Sequence, residues 1–242
     1  DKYWFFLADH TEQVLAQFTN ERDELLNLVF PDWASCLQWW TSVYCFSGSE
    51  EYVQVLKDIK DLETLVCALL CIDIYRRIYM TGMLDFSPFE YSIHTRDFIQ
   101  LLKDSLNSAD TRWLLPSFLE LVPGLENHAL TLLPQHLRNI EELNLVSCDQ
   151  DLLLSLGECS ATLGNQVIRS WRGAVGWQVS VLLDGAEKNV AQAFLVPNAF
   201  TNQLILSNNT NDNKVAFRYQ TVNRFDLTKI MHEWMAGIYA NR

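Results

Sequence analysis

An α+β fold, mainly helical, is predicted by three features of the residue order. Apolar residues recur at helical spacing from residue 3 to about 172, alternate from 176, and return to helical spacing at 226–239. Helices in a run followed by strands in a run indicate α+β rather than a parallel βαβ sheet. The expectation is about eight helices around a buried central helix at 61–83, then a small antiparallel β unit near the C-terminus and a closing helix. A helical body at 1–172 and a β-hairpin unit with its helix at 173–242 are expected to pack as one domain, because no Gly/Ser/Pro-rich linker separates them.

The central stretch, DLETLVCALLCIDIYRRIYMTGM, leaves little room for a polar face, which marks a helix packed on several sides. Its uncharged run, Leu65 to Ile72, is far below the roughly 18 residues of a membrane span. Asp73 can reach Arg76 and Arg77 one turn on.

Taken in order, residues 3–19 read as a helix with Phe6, Val14 and Phe18 among its apolar positions, and Leu25, Leu26, Leu28 and Val29 as the apolar side of a second helix after Asn20. Pro31 ends it. Trp33, Leu37 and Trp40 form one stripe of a helix at 32–46, with Trp39 about 100° away. Ser49 caps a further helix through Lys60. Residues 84–94 form an aromatic loop around Pro88, with Phe86, Phe89 and Tyr91 seeking cover.

Thr95 is placed as the cap of a helix bearing Phe98, Leu101, Leu102 and Leu106, and Asp110 as the opening of one ended by Pro123–Gly124. Short helices follow at 125–133 and from Pro134. A longer one runs from Asp149 or Asp151 to about Arg172, with Gly157 and Gly164 near one face for close helix contact. Two hairpins are then expected: 176–183 with 193–196 across a loop that follows the turn signal Asp184–Gly185 and contains Glu187, Lys188 and Asn189, and 204–206 with 215–222 around SNNTNDNK. Asp226 caps the closing helix.

Charge narrows the function. The net charge is −12, which opposes dedicated nucleic-acid binding and docking on an anionic membrane. Residues 1–172 carry 25 acidic and 12 basic side chains and residues 173–242 carry 5 and 6, so an acidic body adjoins a near-neutral tail. The six cysteines include no CxxC, and buried reduced thiols in an intracellular (cytoplasmic) protein are expected. A chain starting at Asp1 suggests a processed product or a fragment, and Asn208-Asn209-Thr210 matches a glycosylation sequon by chance.

Signatures of catalysis fail on inspection. His232-Glu233 begins like HExxH, but Ala236 stands where the second histidine belongs. There is no GxSxG, Walker loop or GxGxxG, and Gly173 and Gly176 precede a strand rather than a helix. Cys148 or Cys159 could pair in space with His128, His136 or His232 as an unrecognised Cys/His nucleophile. His128 and His136, eight apart across Pro134, lack metal spacing on one helix. Neither cofactor nor metal is expected.

With eight Trp and an aromatic share of 12%, the favoured function is a non-catalytic structural or assembly subunit, of a shell, capsid-like coat or scaffold, that associates with copies of itself. The alternative is an adaptor whose helical groove binds a partner peptide or helix. Interface anchors are expected at Trp39, Trp40, Phe86, Phe89, Tyr91, Arg218 and Arg224. Lys214, Arg218, Arg224 and Lys229, interleaved with Phe217, Tyr219 and Phe225, suit an acidic face of another copy.

Overall fold

The structure is a computed structural model. It describes residues 3–7, 13–19, 25–44, 59, 61–85, 92–108, 110, 112–121, 134–149, 153–168, 174–183, 186–197, 202–209 and 215–240.

The chain opens on strands: β1 (Tyr3–Leu7), β2 (Val14–Thr19) and β3 (Leu25–Phe30) form an antiparallel sheet in sequence order. Tyr3 faces Phe18, Leu7 faces Val14, and Val14 in turn faces Phe30. This overturns the two helices expected there. YWFFL and LLNLVF are short apolar runs without a polar face, and such runs fit strand or helix alike; their aromatic and β-branched content favours the pleated form. Val14 and Ala16, two apart, are both fully buried.

Helix α1 (Trp33–Tyr44) follows, its first turn capped by Asp32, whose Oδ1 accepts the Ser35 N–H at 2.6 Å. Helix α2 (Leu62–Asp85) is capped by Asp61, which accepts the Thr64 N–H at 2.7 Å. Its residues from Thr64 to Ile74 are all buried. Then come β4 (Ser92–His94), α3 (Thr95–Leu106), α4 (Leu114–Leu121), α5 (Pro134–Glu142), β5 (Val146–Cys148), β6 (Leu153–Leu156) and α6 (Glu158–Ile168). Strands β4, β6 and β5 make a second antiparallel sheet in that order. The long helix expected through 151–172 is thus a strand followed by a helix, broken at Gly157. A Cβ on Gly157 would overlap the Asn144 carbonyl. Gly164 does lie inside α6, where a Cβ would overlap the Tyr75 ring of α2.

In the last third both expected hairpins form and are joined into one meander, with Glu187, Lys188 and Asn189 in a strand rather than in the loop expected of them. Strands β7 (Val175–Leu183), β8 (Ala186–Val196), β9 (Asn202–Asn209) and β10 (Val215–Val222) pair antiparallel in the order β10-β9-β8-β7. Helix α7 (Arg224–Ala240) closes it. Its cap is Asn223, not Asp226: Asn223 Oδ1 accepts the Asp226 N–H at 2.8 Å, and the Asp226 carboxylate accepts back from the Asn223 amide at 2.9 Å.

Alternation along the meander sorts its residues onto two faces. Phe194, Val196, Ile205, Phe217 and Tyr219 join the core built on α2, with Phe118 of α4 edge-on to Phe194 at 5.3 Å. Ala191, Ala193, Leu195, Leu204, Leu206 and Val222 face the opposite way, onto Leu37 and Trp40 of α1 and Leu227, Met231, Trp234 and Met235 of α7. The sheet is therefore a middle layer between two helical layers, and both cores draw residues from either side of position 173. The expected architecture of eight helices around a central one does not form. Seven helices are present among the described residues, α2 packs among α3, α4, α5 and α6, and three antiparallel sheets supply the rest. Of the other expected helices, 125–133 and all but Ile59 of the segment at 50–60 lie outside the described residues.

Candidate interaction surface

Helix α2 outlasts the core that covers it. Beyond Ile74 its side chains emerge, and Met80, Met83 and Leu84 are 48%, 62% and 80% exposed. Spaced i, i+3 and i+4, they share one face of the final turns. Two methionines give that face the adaptable, polarizable surface of many protein-binding sites. Another exposed apolar residue, Phe225 at 77%, stands at the start of α7 beside Arg224.

The residues expected to anchor an interface are dispersed. Trp40 is 2% exposed and packs edge-on to Trp177 at 4.3 Å, so its area is taken up in the core between α1 and the sheet. Trp39 is half-buried, its ring 5.5 Å from Phe30 of β3. Arg218 is exposed on β10, and Arg224 is half-buried in the first turn of α7. Phe86, Phe89 and Tyr91 lie outside the described residues, one to six positions beyond the end of α2. Met80 and Met83 fall in the stretch expected to be the buried central helix and Leu84 in the expected aromatic loop, so the sequence does not group them; α2 runs on to Asp85 and puts all three on one face. The signal was Arg76-Arg77, which marks where the helix starts to leave the core.

The chemistry inside the protein is structural. Asp73 of α2 is almost fully buried and accepts the Leu114 and Leu115 N–H groups, both at 2.9 Å. It thereby caps α4 from another helix, a role expected of Asp110. Arg76 Nη1 donates to Asp73 at 3.2 Å and Nη2 to the Arg112 carbonyl at 3.2 Å. Arg76 and Arg77 lie 5.3 and 4.5 Å from the Trp113 ring. Burial raises the Asp73 carboxyl above its ordinary range, against the lowering effects of the two N–H groups and Arg76. Asp110, bound by the Arg112 guanidinium and the Trp113 indole, is held down at about 2.

None of the described thiols is activated. Cys36 and Cys67 are pushed up to about 12 and Cys159 to about 11, chiefly by burial, and burial likewise raises Cys71 well above the ordinary thiol range. Cys148 is exposed, and slight burial together with Glu141 and Asp149 raises it too. All five are unpaired, and Cys45 lies outside the described residues. Two enclosed recesses, one lined by Trp40, Trp177 and Met231 and one by Phe118, Phe194 and Phe217, have no room for a water molecule. Among the described residues no helix is long and apolar enough to cross a membrane.

Among the described residues the fold is a layered α+β arrangement in which Met80, Met83 and Leu84, near the end of α2, are exposed. Comparison with protein-family models, curated proteins and solved structures finds no match to the chain.

Proposed function

We propose that the protein is a non-catalytic assembly subunit that associates with further copies of itself, as a scaffold or shell component, in a reducing intracellular compartment. The exposed face of Met80, Met83 and Leu84 carries this reading. Apolar side chains grouped on one helical face are stabilised when a partner covers them, at about 25 cal/mol per Å² buried. A second copy is the occupant favoured by charge, because residues 173–242 are near neutral and residues 1–172 strongly acidic. The unpaired thiols support the compartment.

Light scattering over a hundredfold concentration range, at low and high salt, tests it. Concentration-dependent association that Leu84→Asp abolishes is expected. A monomer at every concentration overturns self-assembly and moves the weight to the adaptor reading, in which a partner's helix covers the same face. The enzymatic reading makes the opposite forecast for the thiols. With mild alkylator at pH 7, Cys148 is expected to react alone among the described cysteines, and more slowly than a free thiol. Rapid stoichiometric loss of one thiol would restore a nucleophile.

A further inference from the structure

The fold brings together three ligating side chains that the sequence keeps far apart. Asp61 and Glu63 sit at the start of α2, and His136 reaches them from α5. One donor atom from each lies within 4.8 Å of the other two. The imidazole is 4% exposed, so a nitrogen ligand is held in the protein interior against two half-exposed carboxylates. Its Nε2 stands 3.8 Å from Asp61 Oδ1. That is too long for a hydrogen bond and compatible with two ligands of one ion.

We propose that Asp61, Glu63 and His136 form a divalent-cation site that clips α5 to the start of α2. This goes beyond the assembly reading and does not depend on it. Three atoms no more than 4.8 Å apart leave a central point no farther than about 2.8 Å from each, against bond lengths of about 2.0–2.2 Å. Small torsions at Glu63 and Asp61 close the difference. One imidazole nitrogen with two carboxylates suits Zn²⁺ or Mn²⁺ better than Ca²⁺, which takes oxygens throughout. Three protein ligands leave at least one position for water.

Neighbouring groups hold the donors in place. Asp61 Oδ1 also accepts the Thr64 N–H at 2.7 Å. Asn139 of α5 donates to Thr64 Oγ1 at 3.0 Å and reaches Asp61 Oδ2 at 3.5 Å. The Gln135 amide, 3.3 Å from His136 Nε2, is the group an ion would displace at that nitrogen.

The test is titration of chelator-treated full-length protein with Zn²⁺ and with Mn²⁺, read by bound-metal stoichiometry and melting temperature. One equivalent bound with a rise in melting temperature is expected. Asp61→Asn separates the two roles of Asp61, because asparagine caps a helix about as well as aspartate but ligates poorly. It is expected to melt like the wild type without metal and to bind at least about tenfold more weakly; Glu63→Gln is expected to weaken binding similarly, and Glu142→Gln, an exposed acid elsewhere, to change nothing. Absence of stoichiometric binding, or unchanged affinity in both Asp61→Asn and Glu63→Gln, overturns the site and leaves a helix cap beside a buried histidine.

Discussion

Asn144 has φ of 55°, the left-handed region that L-residues other than asparagine and glycine seldom occupy. It sits where α5 ends. The Leu145 N–H donates to the Ile140 carbonyl at 2.9 Å and the Asn144 N–H to the Glu141 carbonyl at 2.8 Å, the paired bonds of a Schellman motif. Leu145 and Ile140 are both fully buried, which supplies its apolar contact. Asn144→Ala is therefore expected to lower stability by about 1 kcal/mol, and Asn144→Gly to leave it unchanged or raise it slightly, as read by denaturant midpoint. Gly157 is held to a stricter limit, since the atom a Cβ would strike belongs to the backbone. Gly157→Ala is expected to cost about 1–3 kcal/mol. These positions were only half legible. ELNL after a helical pattern looks like more helix, and only the paired carbonyls reveal the stop.

At the scale of elements, one bond that joins distant residues is the cap that α2 provides for α4. Asp73→Ala is expected to cost about 3–5 kcal/mol by leaving two amides and the Arg76 guanidinium without their buried acceptor. Its pH signature runs opposite to that of an exposed paired carboxylate. The folded state holds the Asp73 proton more tightly than the unfolded chain does. Its contribution is therefore complete below the ordinary carboxyl range and is lost as pH rises through the raised value. Asp110 contributes in the reverse sense, above its unfolded value, and that contribution disappears as pH falls towards about 2. Comparing stability against pH for the wild type and Asp73→Asn checks the sign: the variant should lack the decline that the wild type shows as pH rises above the ordinary carboxyl range. The sequence showed Asp73 beside Arg76 and Arg77 but not the amides forty-one residues on. The amino-terminal strands were illegible for another reason. Their apolar runs have no polar face, so periodicity could not choose between helix and strand; pairing across the sheet does.

For the molecule as a whole, the apolar stripes predicted more than the element types did. Trp33, Leu37 and Trp40 on α1 do lie against the core shared by the meander and α7, with Trp33 6.2 Å from Trp177. What no single stripe could show is that the meander would be covered on both faces, one by α1 and α7 and the other by the core built on α2. Charging one face should therefore disturb both layers. Ile205→Asp, which puts a carboxylate into the α2 core from the middle of the sheet, is expected to abolish cooperative unfolding altogether rather than release one layer. Two separate melting transitions would show that the layers are stable alone. The exposed face of Met80, Met83 and Leu84 belongs at this scale too, as the surface on which the proposed self-association rests.

The pairing of α1 with α7 also sets a timetable for synthesis. Thr41 and Thr228 meet at 3.3 Å across 187 residues of sequence. A ribosome adding about 5–20 residues per second needs roughly 10–40 s to cover that distance. Until α7 is made, Leu37 and Trp40 of the nascent α1 lack the last of the elements that cover them.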